Sequence, residues 1–164
     1  MKIRTDFVTN SSSSSFIIAF NNEEDIKSEL KENAEKEISS SSYSNTNDVI
    51  EWSNEMIGYI LNDKHIVSRD ELEEILNDEL ETEARCVLFW NSRKRLPFEY
   101  LESAEYKKEE KEYIAKRKNE ILKSIPEDFK VVYTSVGDED ICGSLYEHYI
   151  LPNSKYVFAQ FNHH

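Results

Sequence analysis

Residue types that bind divalent metals are concentrated near the C-terminus of this 164-residue chain. Carboxylate, thiolate and imidazole groups are the ligands that Zn²⁺ and related cations take from proteins. Their spacing matches neither an EF-hand loop nor a Cys-x-x-Cys or His-Glu-x-x-His motif, so a divalent-metal site and an exposed acidic turn are both open interpretations. The candidate ligands are Asp138, Asp140, Cys142, His148, His163 and His164, and Glu139 and Glu147 stand in the same region without being selected as ligands. The last two histidines are either native or the remnant of an affinity tag.

Nucleophilic catalysis is a second chemistry that these residues allow. Cys142 and His148 could form a thiol–imidazole pair, but the sequence does not define the geometry of two residues six positions apart. The chain has only three glycines, at positions 58, 137 and 143, which excludes a glycine-rich loop for a dinucleotide. The catalytic residues, and whether the protein is an enzyme at all, are left open. A divalent metal is the one cofactor that the residue types suggest.

A run of five serines stands between two apolar pieces in the stretch FVTNSSSSSFIIAF, residues 7–20. Its hydroxyl groups could bind a phosphate or another anion, although the glycines and the lysine of a phosphate-binding loop are absent. The alternative is structural, because serine hydroxyls can satisfy backbone groups and fill tight space ahead of a buried strand. The residues of this candidate ligand site are Asn10, Ser11, Ser12, Ser13, Ser14 and Ser15.

The first residues of the chain resemble a recurrent N-terminal signature. Arg4, the run Phe7-Val8-Thr9-Asn10 and the serines up to Phe16 match the pattern R-x-x-F-V-[ST]-N-S-S-S-S-S-F. This signature is found in assorted uncharacterised proteins of Gram-positive bacteria and their phages, which differ widely downstream. The resemblance ends near residue 18 and implies a bacterial or phage accessory protein. It implies no activity, and it transfers no catalytic residue to this chain.

The net charge of −13 is concentrated in one part of the chain. Residues 21–84 hold 19 Asp and Glu against five Lys and Arg, whereas the other 100 residues hold 14 against 15. Such a segment attracts basic surfaces and repels nucleic acids and anionic membranes, although a charged face can also serve solubility alone. The basic turn at residues 93–95, beside Trp90, is too short to indicate nucleic-acid binding on an acidic protein.

These charges favour a non-enzymatic interaction protein that binds a basic partner surface. The alternative function is a small metal-binding protein or metal-dependent enzyme that uses the region from Asp138 to His148. Direct nucleic-acid binding is disfavoured, and the oligomeric state is left open.

The hydrophobic pattern predicts an α+β fold in a single domain, residues 1–164. Ile26, Leu30, Ala34 and Ile38 recur at every fourth position, which predicts a surface helix. The acidic segment 21–84 is expected to be helical and the segment 129–162 mainly β. Three to four helices would pack with a small mixed or antiparallel sheet, whose strands are predicted near residues 16–20, 86–90, 129–136, 148–151 and 156–161.

Composition and the two cysteines favour a cytoplasmic protein. No apolar run approaches the roughly 20 residues that a membrane-spanning helix needs, and the first residues lack the apolar stretch of a secretory signal. Cys86 and Cys142 fit free thiols in a reducing compartment. Cys86 stands in an apolar run and is expected to be buried.

Overall fold

The sheet in the computed structural model is antiparallel throughout the described residues, which are 13–40, 46–90, 96–138 and 140–163. Its strands are β1 (Ser13–Phe20), β2 (Ile66–Val67), β3 (Lys130–Gly137) and β4 (Val157–His163). The strand order is β2–β3–β1–β4, so β1 pairs with β3 on one side and β4 on the other. The antiparallel sheet with its helices confirms the predicted α+β class.

The apolar run of β1 is buried on both faces of the sheet, as its lack of alternation predicts. Side chains alternate across a strand, so Phe16, Ile18 and Phe20 point to one face while Ile17 and Ala19 point to the other. All five are at most 2% exposed. The central strand therefore belongs to two hydrophobic cores at once.

Helices cover both faces of the sheet. On the Phe16 face lie α1 (Glu23–Ser40), α2 (Thr46–Ile60) and α5 (Ile141–Leu145). On the Ile17 face lie α3 (Arg69–Arg85) and α4 (Ala104–Ser124). No helix among the described residues is both long and apolar enough to cross a bilayer.

Two helices begin and pack as the sequence predicts. The four apolar residues of α1 at every fourth position are all buried. Ser68 and Glu71 form the capping box of α3, in which each side chain accepts a hydrogen bond from the other residue's backbone N–H. The hydrogen bonds that the backbone N–H and the hydroxyl of Ser68 donate to the Glu71 carboxylate lower the pKa of Glu71. A lowered pKa in the folded state means that this stabilisation is complete above the unfolded pKa and is lost as the pH falls through the folded one.

Two predicted strands are wrong. Residues 86–90 continue α3 as a π-helical turn, Cys86–Trp90, in which Phe89 is buried and Trp90 is exposed. A short apolar run cannot be assigned to strand or helix by periodicity, and here the preceding helix continues through it. Cys86 is only half-buried, contrary to expectation, whereas Cys142 is the buried cysteine; both are free thiols.

The predicted strand at 148–151 is also helical. The α5 helix continues through a π-helical turn, Tyr146–Ile150, and a 3₁₀ turn, Leu151–Asn153. Cys142, Leu145, Tyr146 and Ile150 are all buried on the Phe16 face, and their spacing of i, i+3, i+4 and i+8 is helical. The segment 129–162 is therefore not mainly β, because a helical run separates its two strands.

Candidate metal centre at the end of the central strand

Two consecutive serines of β1 are buried and hydrogen-bond to side chains on opposite faces of the sheet. Ser14 and Ser15 are 1% and 2% exposed. Ser14 Oγ donates a hydrogen bond to Glu147 Oε1 over 2.7 Å and lies 3.0 Å from Asn162 Oδ1. Ser15 Oγ lies 3.2 Å from the hydroxyl of Tyr133. The end of the serine run is therefore part of the folded interior.

The carboxylate of Glu147 is buried with one oxygen unsatisfied. The residue is 1% exposed, and its Oε2 accepts no hydrogen bond from the residues that the structure describes. His148 Nε2 lies 3.9 Å from Oε2. A carboxylate oxygen removed from water without a hydrogen bond is energetically unfavourable. This oxygen is therefore a candidate ligand atom for a cation.

Asp138 lies close to Glu147 and His148. One ligand atom each from Asp138, Glu147 and His148 lies within 4.8 Å of the others. Asp138 directly follows β3, and the pairing of Ser14 with Val136 brings the end of β3 beside Glu147's hydrogen-bond partner. Glu147 and His148 come from the helical run after α5. Two carboxylates and one imidazole form an oxygen-rich ligand set that divalent transition metals accept.

Gly143 allows α5 to lie close to the end of β3. A Cβ atom at position 143 would collide with the carbonyl oxygen of Gly137. Any larger residue would push α5 away from β3 and would separate Asp138 from Glu147. The close approach of these two elements is thus a condition for the cluster.

Comparison of the chain with protein-family models, with curated proteins and with solved structures finds no match. The functional proposal therefore depends on the geometry of the chain's own residues.

The other predicted metal ligands lie elsewhere or outside the described side chains. Asp140 caps α5, where it accepts a hydrogen bond from the Gly143 backbone N–H over 2.7 Å. Cys142 is buried, with its Sγ 3.9 Å from the carbonyl oxygen of Val49. Burial, and secondarily the charges of Asp140 and Glu55, raises the pKa of this thiol, which disfavours a nucleophilic thiolate. His163 ends β4, but its side chain and the whole of His164 lie outside the described residues.

A second polar cluster occupies the Ile17 face. The hydroxyl of Tyr133 donates a hydrogen bond to Glu79, which is 7% exposed. Burial, together with the neighbouring Glu79 carboxylate, raises the pKa of Tyr133 to about 12. Glu79 thus has a protein donor, whereas Oε2 of Glu147 has none among the described residues. For this reason we treat Glu79 as a structural carboxylate and Glu147 as a candidate ligand.

The predicted anion site is only partly described. Asn10, Ser11 and Ser12 lie outside the described residues, and Ser13 lines a cavity of about 390 Å³ with Ser135 and Gly137. Ser14 already binds a carboxylate, and an anion beside it would be repelled. Anion binding by the serine run stays a prediction.

Sequence reasoning placed Glu147 near the metal site but did not select it as a ligand. A signal for Glu147 was present in the sequence, because the apolar residues from Cys142 to Ile150 are spaced as in a helix. That spacing places Glu147 within a helical segment, directly after buried Tyr146. A strand at 148–151, as predicted, would instead have separated the environments of Glu147 and His148.

Proposed function

We propose that this protein binds a first-row divalent cation, Mn²⁺ or Zn²⁺, through Asp138, Glu147 and His148. The observation that carries the proposal is Oε2 of Glu147, which has no hydrogen-bond partner among the residues that the structure describes although the side chain is only 1% exposed. A cation beside this oxygen replaces the hydrogen bonds that burial removed and balances its charge. A metal is the partner that also uses the imidazole and the second carboxylate.

One of the distances between the candidate ligand atoms fits a shared ion, and all three atoms lie within 4.8 Å of one another. Atoms bound to the same ion at about 2.1 Å stand roughly 3–4 Å apart. The distance of 3.9 Å between His148 Nε2 and Glu147 Oε2 falls in that range. The imidazole favours Mn²⁺ or Zn²⁺ over Ca²⁺ and Mg²⁺, which prefer oxygen ligands alone. Three protein ligands leave at least one coordination position for water or a further ligand.

Ser14 has a positioning role in this proposal. Its hydroxyl donates to Oε1 of Glu147 and leaves Oε2 as the oxygen that faces His148. Groups that orient a metal ligand in this way affect metal affinity by about 10–100-fold. Ser14 would then contribute to metal binding by orienting Glu147, and the serine run would not itself bind an anion.

Calorimetric titration of the metal-free protein with MnCl₂ and ZnCl₂ tests the proposal. The background carries His163→Thr and His164→Ser, so that the terminal histidines do not bind the metal. We expect one binding site per chain and a loss of affinity of at least about ten-fold in Glu147→Gln. Asp140→Asn is the matched control, because Asn can keep the α5 cap, and we expect it to bind as the parent does.

Three results would contradict the metal proposal. One is the absence of any saturable heat with either cation, which would leave a His148–Glu147 ion pair as the role of the cluster. Another is unchanged affinity in Glu147→Gln. The third is an equal loss of affinity in Asp140→Asn and Glu147→Gln, which would point to a general charge effect.

We also propose a second function, the binding of a basic partner surface, and restrict it to the face formed by α1 and α2. These two helices carry ten Asp and Glu against three Lys and Arg. The acidic segment does not form one surface, because α3 lies on the opposite face of the sheet. There α3 forms ion pairs with α4, between Arg117 and Glu83 at 3.6 Å and between Lys118 and Glu73 at 3.9 Å. The negative charge of α3 is thus partly balanced within the chain.

Two variants with the same change of charge test this second proposal. One neutralises exposed acids on the proposed face and the other neutralises exposed acids on α3. We expect a partner retained from host lysate at low salt to be released at high salt, to be lost by the first variant and to be kept by the second. Equal retention by both variants, or insensitivity to salt, would contradict it. The first variant is Glu32→Gln, Glu35→Gln and Glu51→Gln, and the second is Glu74→Gln, Asp78→Asn and Glu81→Gln.

A further inference from the structure

A groove with aromatic walls lies between α2 and the start of α5. Trp52, Glu55, Met56 and Tyr59 line it from α2, and their spacing of i, i+3, i+4 and i+7 places them along one side of that helix. Asp140, Ile141 and Cys142 line it from α5, and its volume is about 670 Å³. The groove is distinct from the candidate metal centre, whose three residues do not line it.

The groove exposes unusually large apolar side chains. Trp52, Tyr59 and Ile141 are 48%, 51% and 49% exposed. Single exposed apolar residues are ordinary on protein surfaces, but several that converge on one concave site indicate ligand binding. The ring of Tyr59 is held edge-on against His65, with 4.9 Å between ring centroids. At least one wall of the groove is therefore positioned before any ligand arrives.

The charge of the groove has one sign. Its described lining residues include the carboxylates of Glu55 and Asp140 and no Lys, Arg or His. Both carboxylates act on Cys142 in the groove wall, where their negative charge adds to the effect of burial in raising the pKa of the thiol. The potential inside the groove therefore favours a positive ligand.

We infer that this groove binds a small organic cation with an apolar body, such as an aromatic or alkyl amine or a quaternary ammonium compound. Cations are attracted to the faces of Trp and Tyr rings, and two such rings and two carboxylates line this groove. The volume lies within the roughly 300–1,000 Å³ of sites that hold small molecules. Met56 and Ile141 supply apolar contacts for the body of the ligand.

Trp52 allows a direct measurement of binding. The chain has two tryptophans, Trp52 and Trp90, so the variant Trp90→Phe leaves Trp52 as its only tryptophan. We expect benzyltrimethylammonium to change the Trp52 emission saturably. Benzyl alcohol, a neutral probe with the same ring, is expected to bind at least about ten-fold more weakly, and benzenesulfonate is expected not to bind.

Paired variants in the Trp90→Phe background separate the groove from the net charge of the protein. Glu55→Gln is expected to weaken binding of benzyltrimethylammonium by about three- to ten-fold, since a charge beside the cation is lost. Glu51→Gln makes the same change of charge at an exposed position of α2 that does not line the groove, and we expect unchanged affinity. Tyr59→Leu keeps apolar volume but removes one ring, and we expect a loss of at least about three-fold.

Each alternative result would overturn the inference. Equal binding of the charged and neutral probes would make the groove a non-specific apolar surface. Equal weakening of benzyltrimethylammonium binding by Glu55→Gln and Glu51→Gln would show that affinity depends on the net charge of the protein and not on the groove. Binding of a lysine-rich peptide without binding of benzyltrimethylammonium would make the groove part of a protein-docking face. All of these results are independent of metal binding, because the probes and variants leave Asp138, Glu147 and His148 unchanged.

Discussion

Replacement of Phe16 by Ala is expected to lower the free energy of unfolding by about 3–5 kcal/mol. Phe16 is fully buried in the central strand, where it pairs with Thr134 on β3 and Gln160 on β4. Its side chain belongs to the core that α1, α2 and α5 form over the sheet. Truncation removes the aromatic ring from this core and leaves a cavity that rigid strands cannot collapse to fill.

Urea unfolding followed by circular dichroism measures this effect. Phe98→Ala is the matched control, because Phe98 is 66% exposed, and we expect it to change stability by about 1 kcal/mol or less. Since domains of this size are stable by only about 5–15 kcal/mol, the Phe16 variant should unfold at a much lower urea concentration. Equal midpoints for the two variants would be incompatible with a central strand buried between two helical layers.

The second large effect is expected from the metal and Glu147 together. At a free metal concentration 100-fold above the dissociation constant, binding to the folded state adds about 2.7 kcal/mol to the free energy of unfolding. For a domain of this length that corresponds to a rise in Tm of roughly 5–10 °C. Glu147→Gln should abolish most of this rise, because the neutral amide is a poor metal ligand.

The same variant should be at least as stable as the parent when both are free of metal. Gln has nearly the volume of Glu and can still accept the hydrogen bond from Ser14, but it does not bury a charge with an unsatisfied oxygen. Thermal unfolding in EDTA and in MnCl₂ measures both states. A variant that is strongly destabilised in EDTA, and whose response to metal equals that of the parent, would assign Glu147 a purely structural role.

The elements that the sequence predicted well are those whose signals are local. Helix α1 has a regular apolar stripe, and α3 has a capping box whose two partners are three residues apart. The buried central strand follows from five consecutive apolar residues with no polar alternation. In each case a few neighbouring residues contain the whole signal, so no distant contact is needed to interpret it.

The two wrong secondary-structure predictions are short apolar runs, whose conformation is set by residues distant in sequence. Cys86–Trp90 and Tyr149–Leu151 are too short for periodicity to separate strand from helix. The first run continues α3, and the second packs its helical face on α1 and the sheet. Strand β2 was missed for a related reason, since its two residues are a strand only because β3 lies beside them.

The acidic segment illustrates the same limit for function. Its composition indicated one negative surface, but charge counted along a chain does not tell which helices share a face. The helices of the segment pack on two faces of the sheet, against alternate side chains of β1. The ion pairs of α3 with α4 partly balance the negative charge of α3. The proposal of a basic partner is therefore restricted to the face of α1 and α2.

By itself the sequence determined the α+β class, the buried central strand and the region in which candidate metal ligands accumulate, because these depend on composition and on neighbouring residues. Tertiary structure alone decided which of the candidate ligands lie close together. The pairing of β1 with β3 and the close approach of α5 at Gly143 bring Asp138 to Glu147 and His148. Asp140, two residues after Asp138, instead caps α5. A metal site needs atoms within a few ångströms of each other, and such distances are set by the packing of whole elements.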